Sequence, residues 1–216
     1  MQIRELKEIV ELDEEQNFTR YLIYAPNNGF SKHKFEVQKN SKLLIYAAPN
    51  SDCNLDFSFN LAGDIVFSVE VLDLARGDTK HKMNFTIKHK EANAKSSFRA
   101  HALLDGFAER ELYVHTEIMR GAKNCQASES DRLIKLSKDC WNLSIPSVSI
   151  HEKDSQCEHA FYSDELNSAK LNFLLSRGLT LDEARFILLK NDIPTPLQDK
   201  LRAFLDRRTN YREQPY

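Results

Sequence analysis

Three adjacent residues, Cys157-Glu158-His159, are the stretch of this sequence best suited to chemistry. Alternate side chains of an extended chain share a face, so a strand through this tripeptide would set Cys157 and His159 together with Glu158 opposite. A thiol beside an imidazole is a soft, mixed donor pair that suits iron, zinc or copper(I). A neighbouring imidazolium would also lower the thiol pKa and make it a better nucleophile or sulfur acceptor. Two donors do not complete a site, so a bound cluster would need ligands from elsewhere in the chain or from a second subunit. The plainer reading of the pair is a buried cysteine next to a histidine bonded to backbone.

Other candidates are weaker. His89, His101 and His115 fall on successive strand candidates and could converge as in a cupin. The His-x-His-then-Glu pattern of that fold is missing, so they are expected as surface or satisfied core histidines. Cys125, in the loop Gly121–Gln126, is expected to be exposed, as an incidental or a reactive thiol; Cys53 and Cys140 read as small hydrophobes, and Trp141 as a core or interface anchor. The four cysteines form no CxxC pair, which argues against both a disulfide framework and a complete zinc cage. There is no Gly-x-Ser-x-Gly elbow and no phosphate-cradling GxxxxGK[ST], so the chain is not expected to hydrolyse a nucleotide itself.

The 216 residues carry a net charge of −2, with 41% hydrophobic and 29% charged side chains. That composition belongs to a globular chain and offers no basic field for nucleic acid or an anionic membrane. The longest apolar run, Leu43 to Pro49, is too short to span a bilayer, and the first fifteen residues lack a signal-peptide core. A cytoplasmic protein is expected.

The elements that must position these residues show two textures. Residues 1–25 are undecided between a short amphipathic helix and a leading strand. Residues 26–160 read as strands: Leu55–Leu61, Met83–Lys88 and Ser147–His151 alternate apolar with polar, and further strands are expected at Lys34–Gln38, Leu43–Ala47, Ile65–Leu72, Phe98–Leu104, Leu112–Ile118 and Arg132–Leu136. Many short strands without helical pattern between them mean a sandwich, barrel or solenoid, and no strict repeat separates these. Residues 161–216 read as helices. Asn167 and Thr180 are expected N-caps, the latter in a capping box with Glu183, and Gly178 is a stop. Thr195-Pro196 is expected to open a third helix. The stripes Leu171, Leu174, Leu175 and Leu197, Leu201, Phe204, Leu205 suit either packing onto the β-domain or docking of a partner.

Residues from about 80 to 206 resemble the carboxy-terminal portion of the SufB/SufD family, scaffold proteins of SUF iron–sulfur cluster assembly. The match runs in order through Leu104-Asp105-Gly106, the "GA" turn Arg120-Gly121-Ala122-Lys123, and Asp131-Arg132-Leu133-Ile134-Lys135-Leu136-Ser137. It continues through Pro146–Ile150 into Cys157-Glu158-His159-Ala160, and ends in Leu174-Leu175-Ser176-Arg177-Gly178-Leu179 with Glu183-Ala184. Residues 1–80 add only a compatible strand texture. The resemblance implies a right-handed parallel β-helix followed by a small C-terminal helical domain. It implies pairing through the β-helix with a SufB-like or identical subunit, and docking of a SufC-type ABC ATPase near Leu171, Leu174, Leu175, Arg177, Leu197, Leu201 and Phe204. The histidine implicated at the SufD interface falls on His159, with Cys157 beside it, as candidate ligands of a transient iron–sulfur cluster; no permanently bound cofactor is implied. The position of a SufB cysteine implicated in assembly falls on Asp131, which favours a SufD-like, non-enzymatic role. The alternatives are a structural adaptor that contributes no ligand, or an unrelated β-sandwich or cupin-like metal protein.

Overall fold

The computed structural model describes residues 9–15, 18–24, 29–164 and 166–206. Its strands are β1 (Ile9–Glu15), β2 (Phe18–Tyr24), β3 (Gly29–Val37), β4 (Ser41–Ala47), β5 (Cys53–Leu61) and β6 (Val66–Gly77), followed by β7 (Lys80–His89), β8 (Lys95–Gly106), β9 (Glu109–Ile118), β10 (Gln126–Lys135), β11 (Trp141–Ile150) and β12 (Gln156–Asp164). Successive strands alternate between two sheets, one ordered β1-β2-β4-β6-β8-β10-β12 and the other β3-β5-β7-β9-β11. All pairings are parallel except β1 on β2. Each coil therefore lays one strand on each wall and steps up by one strand: the fold is a parallel β-helix, as the resemblance implied. The described parts of residues 1–25 are strand; the rest of that segment lies outside the described residues.

One corner of the coil repeats. Asp64, Asn93 and Asn124 all take a left-handed backbone, with φ of 57°, 61° and 55°. Short Asp and Asn side chains tolerate this region best after glycine. They stack along the axis, Asn93 Nδ2 donating to Asp64 Oδ1 at 2.8 Å and Asn124 Nδ2 to Asn93 Oδ1 at 3.3 Å. The residue after each one, Ile65, Ala94 or Cys125, turns inward and is buried.

The helices α1 (Ser168–Ser176), α2 (Leu181–Leu189) and α3 (Gln198–Leu205) follow. Asn167 accepts from the Lys170 N–H, Thr180 and Glu183 form the full capping box, and Gly178 at φ +88° follows α1. The third start differs from expectation: Thr195–Leu197 is a 3₁₀ turn, and α3 begins after it without a side-chain cap. Leu189, Ile193, Leu197, Leu201, Phe204 and Leu205 pack on the outer face of the larger sheet, against Leu44, Leu72, Leu74, Leu103 and Ile134. Arg76 anchors the end of α3, donating to the Phe204 carbonyl at 2.5 Å with its guanidinium over the Phe204 ring. Arg132 pairs with Asp192.

Inside the helix the filling changes along the axis. The early coils hold a phenylalanine stack in which Phe59 meets Phe67 across the walls with centroids 4.8 Å apart, and Phe85 meets Phe98 at 4.9 Å. Along one side of the interior a charged chain replaces this apolar filling. His81 Nδ1 lies 2.5 Å from Asp73 Oδ1, and its Nε2 lies 3.0 Å from the Ser51 carbonyl. Arg110 donates through Nε to Asp73 at 2.7 Å, through both terminal nitrogens to Asp131 at 2.8 and 2.9 Å, and to Asn142 at 3.0 Å. The small side chains of Ala100 and Ala102, on the strand between Asp73 and Asp131, leave space for the guanidinium. The neighbouring carboxylates hold Arg110 charged despite its burial, and His81 with Arg110 holds Asp73 below the usual carboxylate range.

Removing Arg110 would strand two buried carboxylates. Arg110→Met is expected to lose about 3–5 kcal/mol of stability, read from urea unfolding. Arg110→Lys should not rescue it, because an ammonium cannot serve the bidentate contact to Asp131 and the contact to Asp73 together. Wild-type stability in the lysine variant would refute this account.

Candidate functional site at the open end of the β-helix

The last coil has no successor among the described residues: β11 pairs only with β9, and β12 only with β10. Its inner face is therefore the open mouth of the solenoid. Cys157, His159 and Phe161 align with Ala127, Glu129 and Asp131 of β10, which point inward and are buried. The strand expected through the tripeptide exists, and it sets Cys157 and His159 on the inner face with Glu158 turned outward. His159 is exposed because no further coil covers it.

The backbone of this end is open too. The Gln156 N–H donates to Cys125 toward β10. In a parallel strand the next residue presents its groups to the other side, so Cys157, His159 and Phe161 offer theirs to the free edge. On β11, Trp141 and His151 donate toward β9, which turns the Pro146 nitrogen to the free edge, where a missing N–H breaks no ladder bond. Exposed Trp141, Ile145, Ile150, Phe161 and Tyr162 lie on the same two strands.

The thiol is not activated. Cys157 is half-buried and its pKa is pushed up to about 11, by partial burial first and then by the Glu129 and Glu158 carboxylates. It stays protonated at neutral pH, contrary to the expectation that an imidazolium would lower it. Glu129, which the sequence did not single out, faces the same mouth at 5% exposure. Its Oε1 accepts from the Thr116 hydroxyl, its Oε2 has no partner, and burial raises its pKa. Among the described residues no three His, Cys, Asp or Glu side chains converge as a ready-made metal cage.

The other candidates scatter. His89 is buried beside the Ser96 hydroxyl at 2.8 Å, His101 faces the helices beside Arg132, and His115 lies 2.9 Å from Ser147 on the outer surface. Cys125 is buried rather than exposed, because it follows the left-handed Asn124 and turns into the corner, where its thiol donates to the Glu91 carbonyl at 3.3 Å. Cys53 and Cys140 are buried as small hydrophobes, whereas Trp141 is exposed. Leu197, Leu201 and Phe204 are fully buried against the sheet, so they are core and present no docking face. Leu171 and Leu174 are half-buried, while Leu175 and Arg177 are exposed with Phe173.

The sequence matches the family described as SUF system FeS cluster assembly, SufBD core domain, over residues 28–191. The chain belongs to the SufBD family. The match starts well before residue 80, so the early coils, which carried only strand texture, belong to the core domain too. A search of curated proteins finds no match. In this SufBD protein Asp131 has both oxygens committed to Arg110. No helix among the described residues is long and apolar enough to cross a membrane.

Burial pulls the His89 pKa down to about 4. The unfolded chain, titrating near 6.5, binds a proton between those values that the folded chain refuses, so stability falls as pH drops from about 6.5 to 4, by at most about 3 kcal/mol. His89→Gln is expected to flatten that part of the profile, checked by urea midpoints at pH 7 and 4.5. Parallel losses in wild type and variant would refute it.

Proposed function

We propose that this chain is a SufD-like scaffold subunit of a SUF-type iron–sulfur assembly complex, with no catalytic turnover of its own. The family match supports the assembly role. The observation that carries the specific reading is the open last coil, which puts His159 and Cys157 at an edge where a second subunit can add. There the pair would hold a nascent cluster as transient cargo, with the remaining ligands supplied across the seam by a SufB-like or identical chain. The protonated Cys157 fits a ligand that gives up its proton only when metal arrives.

A SufC-type ABC ATPase would dock on the helical domain, and ATP hydrolysis would belong to that partner. With Leu197, Leu201 and Phe204 committed to the sheet, the docking surface narrows to α1. Its Phe173 is 57% exposed, Leu175 is 36% exposed, and Arg177 stacks its guanidinium 5.1 Å from the Phe173 ring centroid. The half-buried Leu171 and Leu174 would support that surface from the side facing α2. The proposed location is the cytoplasm.

Anaerobic reconstitution with iron and sulfide tests the site. His159→Ala is expected to lower the cluster content of the assembled complex several-fold and Cys157→Ser less; unchanged content in both would leave a structural adaptor. Coexpression with a SufC-type ATPase tests docking. Phe173→Glu combined with Leu175→Glu should abolish its co-purification with the melting temperature unchanged, since neither side chain is core. Retention of the ATPase by this variant would sink the α1 assignment.

A further inference from the structure

The reading above rests on Cys157 and His159, but the mouth of the solenoid holds a third group whose state is unexplained. Glu129 is buried, yet only one of its oxygens has a partner. An orphaned carboxylate oxygen in a dry interior costs several kcal/mol unless a proton or a cation meets it. Among the described residues the basic group that faces it is the His159 imidazole. Arg110, the nearest buried cation along the interior, is committed to Asp73, Asp131 and Asn142. The cavity beside Glu129 is lined by no lysine or arginine.

That cavity has a volume of about 20 Å³, and His159 lines it along with Ser144 and Phe161. Room for one water takes about 10–15 Å³, so the space suits a single water-sized occupant. Glu129 and His159 are register partners on adjacent parallel strands and point to the same inner face. A carboxylate oxygen and an imidazole nitrogen form a hard-to-borderline donor set, suited to a divalent iron or zinc ion. Asp131 also lines the cavity, but both of its oxygens are held by Arg110, and no three such side chains converge among the described residues, so the remaining positions would be filled from across the free edge of β12.

We propose that Glu129 and His159 form half of a binding site for a divalent transition-metal ion, completed by the pairing subunit, so that Glu129 is a ligand of the seam. This rests on the scaffold reading and adds an oxygen donor to it. The ion would enter as a single metal with mixed oxygen and nitrogen ligation, before any sulfide-bridged species.

The test uses the full chain as it assembles in solution, with Zn²⁺ alone as probe. Wild type is expected to bind zinc stoichiometrically, with X-ray absorption showing oxygen and nitrogen neighbours. Glu129→Gln, which keeps the shape of the side chain, should weaken binding at least ~10-fold without lowering the melting temperature, and His159→Ala should do the same. Zinc binding by Glu129→Gln equal to wild type, with His159→Ala impaired, would overturn the role of Glu129 and leave the scaffold reading standing. Absence of stoichiometric zinc in wild type, or an all-sulfur shell, would overturn the proposal without needing any variant to fold. Failure of ATPase co-purification bears on the scaffold reading alone and leaves the zinc result intact.

Discussion

One guanidinium holds the later coils in register. Arg110 reaches from the smaller sheet across the interior to Asp73 and Asp131 of the larger one and to Asn142 of the last strand of its own sheet. A solenoid is stabilised mostly by contacts between neighbouring coils, so its end coil has half the neighbours of the others. The terminal strand β11 lies beyond the phenylalanine stack of the early coils. The charged chain from Ser51 through His81, Asp73 and Arg110 to Asn142 supplies directional bonds instead. It does so only as a complete set, because His81, Asp73, Arg110 and Asp131 are buried and each depends on the next.

The larger sheet shows the complementary constraint on its outer face. Leu72, Leu74, Leu103 and Ile134 would be an exposed apolar stripe if the chain stopped at β12; the helical segment covers them with Leu189, Ile193, Leu197, Leu201 and Phe204. The same wall therefore has two buried faces along its middle and one open edge at its end. The helical segment has two characters in turn: α3 belongs to the core, whereas α1, with no buried residue, is left to the surface.

How much of this was legible follows from how each strand is buried. In β5 and β7 one face meets the interior and the other meets solvent, so Leu55–Leu61 and Met83–Lys88 alternate cleanly. In β6 the outer face is covered by helices, so its apolar residues run on and hide the period. The coil repeat is hidden in the sequence because Ile45 stacks on Val71, Val71 on Ala100, Ala100 on Asp131 and Asp131 on Phe161, at spacings that drift from coil to coil. A usable signal was present in Asp64-Ile65, Asn93-Ala94 and Asn124-Cys125, each a left-handed corner followed by an inward residue; it would also have placed Cys125 correctly. Glu129 was invisible for another reason. The stretch Ala127-Ser128-Glu129-Ser130-Asp131 looks like loop, and only the facing Arg110 and Thr116, far off in sequence, make its acids interior residues. The tripeptide Cys157-Glu158-His159 was readable because its alternation needs nothing beyond the strand itself.

Pro146 carries a consequence for higher-order growth. A bare sheet margin invites endless addition of chains, the route to fibres. Here one of the two margins at the mouth lacks a donor midway along, so a newcomer matched to both walls must forgo a bond on that side. Propagation through both walls at once is discouraged, while a single closed union by way of β12 is spared. The same imino acid thus works against open-ended growth from the β11 margin.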